Sequence, residues 1–321
     1  MKALVTGATG FVGSHVALAL LRHGWEVRAL VRPANGGHRR AELPCEVEMV
    51  AGDIEDEASV ERGAQGCQAV FHVAAMYELW AREPKRFYAV NVAGTRAVME
   101  AARKANVERV VHTSSVATVI QGGDETGFAD PATAHGHYKR SKILAERVAF
   151  EYPNVIVVNP AAPMGWGDIR PTPTGNIVLG FLRGRIPAYI DTGLNVIDVE
   201  DVAAGHMLAY ERGQPGERYI LGNENLTLRA LLETLAAETG RRAPRLELPM
   251  PLAYAAAAIS EIVEGRIAGR PPTVTLDAIR MARVPMYFDS TRARQELGLP
   301  QTPVHCALRK SAEWFISHGY C

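Results

Sequence analysis

The octapeptide Thr6-Gly7-Ala8-Thr9-Gly10-Phe11-Val12-Gly13 constrains this chain more than any other segment. It stands between an apolar run, residues 2–6, that reads as a buried strand and a helical-period run, residues 12–23. Glycines three apart at a strand-to-helix junction have a physical use. Gly7 permits a tight turn, Gly10 lets the backbone approach a pyrophosphate, and Gly13 lets the helix pack closely on the sheet. The anion then rests on the N–H groups left unpaired at the helix N-terminus. Glycine spacing alone is a weak signal, and a tight turn without a ligand is the bland alternative. The strand–turn–helix setting selects a dinucleotide site. Gly7, Thr9, Gly10, Phe11, Val12 and Gly13 are therefore candidate cofactor residues.

Downstream, short β-branched runs alternate with helical segments. Residues 26–32, 47–51, 69–73, 109–113 and 155–159 read as further strands. Helices are expected across much of 84–104, with Val90, Val98 and Ala101 on one face, and over 138–151. Such alternation predicts an α/β, Rossmann-type, doubly wound parallel sheet. After Pro160 the texture changes, and the Pro- and Gly-rich stretch 161–175 reads as a loop. Shorter pieces follow: a helix near 176–183, a strand at 196–199 feeding a helix over 200–212, a strand at 218–221, and helices over 227–240, 252–267 and 304–318. The domain reading assigns 1–165 to a dinucleotide-binding domain, with 194–215 returning to it. Residues 166–193 and 216–321 form a smaller, mainly helical substrate domain.

Composition narrows the function classes. The 321 residues carry 35 basic and 35 acidic side chains, 47% hydrophobic and 22% charged. These are globular values, and zero net charge speaks against a nucleic-acid partner that needs a strong basic field. The four cysteines, Cys45, Cys67, Cys306 and Cys321, have no metal-ligand spacing. Neither a metal site nor a disulfide framework is expected, and a reducing, cytoplasmic location is. The N-terminus lacks a secretory pattern. The longest apolar stretch, 250–259, is too short to span a bilayer. A core helix is the expectation for it, against an apolar substrate entrance or a membrane-surface contact. A homodimer is compatible with the sequence.

The end of the second strand selects the cofactor. An acidic residue there accepts hydrogen bonds from the ribose hydroxyls of NAD. This chain has Leu30-Val31-Arg32-Pro33, with no carboxylate. A guanidinium suits a 2′-phosphate, and Arg39 and Arg40 add charge nearby. The expected cofactor is NADP(H) in preference to NAD(H). A solvated, unengaged Arg32 is the alternative.

Tyr138-Lys139-Arg140-Ser141-Lys142 sets a phenol and an ammonium four residues apart, on one face if helical. A phenol is a poor base near neutrality, and a neighbouring ammonium stabilises its phenolate. Thr113-Ser114-Ser115 closes the fifth strand, at the edge where ligands bind in doubly wound sheets. Ser115, Tyr138 and Lys142 are the candidate catalytic residues, with a small-molecule substrate.

These motifs, with Gly52-Asp53-Ile54, Phe71-His72-Val73-Ala74-Ala75, Asn91-Val92-Ala93-Gly94-Thr95 and Val199-Glu200-Asp201-Val202-Ala203, resemble an extended short-chain dehydrogenase/reductase over essentially the whole chain. The resemblance implies that Asp53 and Ile54 flank the adenine and that Ala74, Ala75 and Pro160 line the cofactor. It also implies that Asn91 supports the active site. The bland alternatives are a capping Asp53, a core His72 and a helix-capping Asn91. Thr113-Ser114-Ser115-Val116-Ala117 resembles the dihydroflavonol-reductase-like branch. Dehydratases of this superfamily carry an acidic pair where Val116 and Ala117 stand, and Ala162 occupies a position where nucleotide-sugar epimerases often have Asn. Segments 159–175, 187–195 and 217–222 look most like bacterial hopanoid-associated sugar epimerases. The resemblance implies NADP(H)-dependent hydride transfer at a carbonyl or secondary alcohol. Sugar epimerisation by internal redox is the alternative, and a non-catalytic NADP-binding regulator or RNA-binding scaffold a second. His135 and His137 are expected in a solvated loop. Met76, Tyr77 and Trp80 form either a substrate wall or core.

Overall fold

The computed structural model describes residues 1–33, 41–78, 80–81, 83–269 and 272–321. The first half contains β1 (Lys2–Thr6), α1 (Phe11–Arg22), β2 (Glu26–Val31), β3 (Glu48–Ala51), α2 (Glu57–Ala64), β4 (Ala69–His72), α3 (Lys85–Tyr88), α4 (Gly94–Lys104), β5 (Arg109–Thr113), α5 (His137–Ala149) and β6 (Val155–Pro160). The second half contains β7 (Ala162–Met164), α6 (Gly175–Leu182), β8 (Ala188–Tyr189), β9 (Gly193–Asp198), α7 (Val199–Arg212), β10 (Arg218–Leu221), β11 (Glu224–Thr227), α8 (Leu228–Thr239), β12 (Leu246–Glu247), α9 (Met250–Ser260), α10 (Leu276–Ala282) and α11 (Val304–Ser317).

Seven strands form one parallel sheet in the order β10-β6-β5-β4-β1-β2-β3. The central strands are apolar on both faces, because helices cover both faces; β6, Val155-Ile156-Val157-Val158, is buried throughout. On one face α1 and α7 pack Val16, Ala17 and Leu20 against Val202, Ala203 and Met207. On the other, Val60, Val98, Met99 and Ala149 pack over β1, β4 and β5. Strand order reverses between β1 and β4, which pair Thr6 with His72. That opens a crevice at their carboxyl ends, where doubly wound sheets bind ligands.

The second unit is mainly helical, as expected, and carries two small sheets besides: β7, β9 and β11 make a three-stranded sheet and β8 pairs with β12. It differs from its expected form in three ways. Within the predicted loop 161–175, β7 pairs in parallel with β9 because Ala162 and Met164 point into the core shared with Val178, Leu231 and Phe315. Residues 216–321 do not separate cleanly either. β10 extends the main sheet beside β6, and Ala293, Leu297 and Leu299 join the core beneath α7. The helix expected over 252–267 is α9 followed by a π-helical segment, Glu261–Ile267. The apolar stretch 250–259, expected to be a core helix, buries only Ala253 and Ala257.

Candidate active site

A cavity of about 800 Å³ runs along the carboxyl ends of β1, β2, β4, β5 and β6. The glycine loop forms one wall. Gly7 has φ +73°, and a Cβ there would lie 2.7 Å from the Ala74 nitrogen. A Cβ on Gly13 would overlap the Gly7 carbonyl oxygen. Gly10 N donates to that oxygen at 2.9 Å, which closes the turn. No side chain caps α1 at Gly10, so the first-turn N–H groups face the cavity as an anion cradle. The cradle fits a dinucleotide pyrophosphate and tolerates no side chain at Gly7 or Gly13.

Thr9, Phe11, Val12, Arg32, Asp53, Ile54, Ala74, Ala75 and Pro160 line the same cavity. Arg32 is exposed at the end of β2. Asp53 also makes the local contact expected of a turn residue, its Oδ1 accepting from Glu55 N at 3.1 Å. Arg39 and Arg40 lie outside the described residues. Asn91 does not line the cavity and does not cap a helix. It sits inside a π-helical turn, Ala89–Ala93, between α3 and α4. Its Oδ1 accepts from Met76 N at 2.7 Å, and its Nδ2 donates to Ser141 Oγ at 2.9 Å and to Met76 O at 3.2 Å. Asn91 thus fastens the segment after β4 to α5.

Ser115, Tyr138 and Lys142 come together in this cavity from β5 and α5. Ser115 caps a single 3₁₀ turn, Val116–Thr118, its Oγ accepting from Ala117 N at 3.1 Å. Burial pushes the Tyr138 phenol up to about 12, and the Ser115 side chain acts against the rise. Lys142 is buried, and its Nζ donates to Thr113 O at 2.8 Å. Burial pulls its ammonium down to about 8, and the Glu146 carboxylate opposes the fall. A phenol kept neutral is a proton donor at neutral pH.

Behind the site lies a buried polar network that the motifs did not announce. Glu146 stands one turn beyond Lys142 on α5. Its carboxylate accepts from Thr118 Oγ1 at 2.7 Å, Asn159 Nδ2 at 2.8 Å and Arg218 Nη1 at 2.8 Å. Thr118 and Asn159 also donate to the Ser115 carbonyl, at 2.9 and 3.1 Å. The four-residue spacing of Tyr138, Lys142 and Glu146 was the available signal, and Arg218 on a distant strand could not be paired from sequence. On the substrate side, Asp168 is buried and accepts from Thr172 N and Oγ1 at 2.9 and 2.8 Å. Burial raises its carboxyl to about 6. Thr172 Oγ1 meets Thr174 Oγ1 at 3.2 Å, and Thr174 Oγ1 donates to Pro163 O at 3.3 Å. The Tyr77 ring lies 5.0 Å from that of Tyr138.

Met76 and Tyr77 wall the cavity, whereas Trp80 lies beside Gly265. His135 is exposed, and His137 begins α5 with its Nδ1 3.1 Å from the Tyr88 hydroxyl. His72 is a core residue held by Thr6 and Thr95 and kept neutral by burial, at about 3.

The profile of the NAD dependent epimerase/dehydratase family matches residues 3–222. A Synechocystis protein, provisionally named a dihydroflavonol 4-reductase, is 44% identical over 98% of this chain and 95% of its own. "Sterol demethylase protein B" of Methylococcus capsulatus is 34% identical over 99% of both chains. The crystal structure of gox2253 superposes with a TM-score of 0.86 at 40% identity, covering 99% of both chains.

Proposed function

The chain belongs to the NAD dependent epimerase/dehydratase family, and from that membership we propose that it is an NADP(H)-dependent reductase of a small carbonyl substrate. The observation that carries this reading is the convergence of Ser115, Tyr138 and Lys142 in the cavity that begins at the glycine loop. The nicotinamide, when bound, supplies or accepts the hydride. Gly10, Phe11, Val12 and Gly13 hold the pyrophosphate, Arg32 the 2′-phosphate, Asp53 and Ile54 the adenosine end, and Lys142 the nicotinamide ribose. Ser115 Oγ orients the substrate oxygen by hydrogen bonding. Tyr138 gives that oxygen its proton, and solvent restores the proton to the phenol. The raised Tyr138 favours the protonated phenol that reduction needs.

No carboxylate stands at Val116 or Ala117 to drive dehydration. The substrate side is walled by Met76, Tyr77, Pro163, Ile169 and Pro171 together with Arg170, Thr172 and Thr174, and the reductase name of the Synechocystis relative supports an organic carbonyl as substrate. Stoichiometry tests the reading. A panel of carbonyl compounds and nucleotide sugars is incubated with NADPH and followed by mass spectrometry. A reductase consumes one NADPH per product. Product formation without net NADPH consumption refutes it in favour of internal redox.

A further inference from the structure

Between β7 and α6, residues 165–174 form neither helix nor strand. Gly167, Ile169, Arg170, Pro171, Thr172 and Thr174 of this segment line the catalytic cavity. The substrate wall is therefore irregular backbone, with no hydrogen-bond ladder of its own to fix it. A wall that seats a substrate for reaction has to be held in one geometry, and here side chains must hold it.

Two anchors do so. Asp168 is 1% exposed, and its carboxylate accepts from Thr172 N at 2.9 Å and from Thr172 Oγ1 at 2.8 Å. Thr172 Oγ1 in turn accepts from Gly175 N at 3.0 Å. A Cβ on Gly175 would overlap Asp168 Oδ2, so glycine at the start of α6 admits the carboxylate. Asp168, Thr172 and Gly175 thus close the irregular segment onto the first residue of α6. The second anchor is Tyr320, whose hydroxyl donates to Ile169 O at 2.5 Å. Arg183, just past α6, donates from Nε and Nη2 to Tyr320 O at 2.8 and 2.6 Å. The rings of Trp314 and Phe315 on α11 lie 5.2 and 5.4 Å from that of Tyr320.

No cation among the described residues pairs with Asp168, and burial raises its carboxyl to about 6. A charge buried at that cost does not serve stability, because an uncharged side chain of the same shape avoids it. What the carboxylate adds is a charge-assisted acceptor, which makes shorter and stronger hydrogen bonds than a neutral one. We propose that Asp168 is the positioning residue for the substrate wall, with Tyr320 as its second anchor, and that both act on substrate binding and not on the chemical step. This rests on substrate lying beside Ser115 and Tyr138, the reading proposed above.

Asp168→Asn and Tyr320→Phe, both nearly isosteric, test the proposal on whichever compounds of the carbonyl and nucleotide-sugar panel the unmodified chain converts. KM should rise about tenfold in the first and about three- to fivefold in the second, with kcat kept within a factor of about two. NADP+ affinity in calorimetry should stay within a factor of about two. Asp168→Asn should melt no lower than the parent near neutral pH, because it removes a buried charge; a residue serving only the fold would lower it. Hydrogen exchange needs no substrate: residues 165–174 should exchange faster in both variants, and residues 7–13 as in the parent. Unchanged KM, unchanged exchange over 165–174, or a melting loss in Asp168→Asn with kcat falling as far as KM rises would each overturn the proposal. Whether conversion consumes NADPH decides the reductase reading separately.

Discussion

Replacing Arg218 by methionine probes the network behind Ser115. Arg218 and Glu146 are each only 2% exposed. The guanidinium donates to Glu146 Oε1 at 2.8 Å, to Glu125 O at 2.7 Å and to Gly127 O at 2.7 Å, and stacks 3.7 Å from the Phe128 ring. Methionine fills much of the volume and supplies none of the donors. Glu146 is then a buried carboxylate held only by Thr118 and Asn159, the Glu125 carbonyl loses its guanidinium donor, and the Gly127 carbonyl keeps only Ile120 N. Removing one member of a buried pair costs about 3–5 kcal/mol. At about 2–4 °C per kcal/mol, melting should fall by roughly 6–20 °C in scanning calorimetry. Arg218→Met/Glu146→Gln, which removes both charges, should recover at least half of the loss, because the penalty lies mainly in the unpaired ion. Thr118 and Asn159 also hold the Ser115 carbonyl, so turnover should fall by a larger factor than KM rises. A single variant within about 1 kcal/mol of the parent, or a double variant no better than the single, would refute the reasoning.

Tyr138→Phe should lower turnover by about 10²–10⁴-fold and leave NADPH affinity within a factor of about two, measured by steady-state kinetics and calorimetry; retained activity would remove the proton-donor role. Lys142 is held at about 8 against an ordinary 10.5. Between those values the unfolded chain binds the extra proton, so this group's contribution to stability rises with pH there, and its penalty is fully present below about 8. Lys142→Met should therefore be inactive yet more stable at pH 7 by about 3 kcal/mol, with the gap shrinking as pH rises through 8 to 10.5 in urea titrations. A pH-independent gap would contradict the burial account. Arg32→Ala should weaken NADPH binding by about 10–100-fold while NADH binding stays unchanged; equal effects on both cofactors would remove the 2′-phosphate role.

The sequence by itself determined the parallel α/β half and its cofactor edge, because both rest on local rules. A strand buried on two faces reads as an apolar run, as Val155–Val158 does in β6. A backbone turn that excludes side chains must be glycine, as at Gly7 and Gly13. A helix sets residues four apart on one side, as for Tyr138 and Lys142. Tertiary structure decided what local rules do not reach. Ala162 and Met164 form a strand inside a Pro- and Gly-rich stretch only because β9 offers a partner. Arg218 sits in the last strand of the main sheet and meets Glu146 across 72 positions of sequence. Burial, which no residue carries in its identity, left Tyr138 a donor and Lys142 a weaker cation. It also left only Ala253 and Ala257 of residues 250–267 buried.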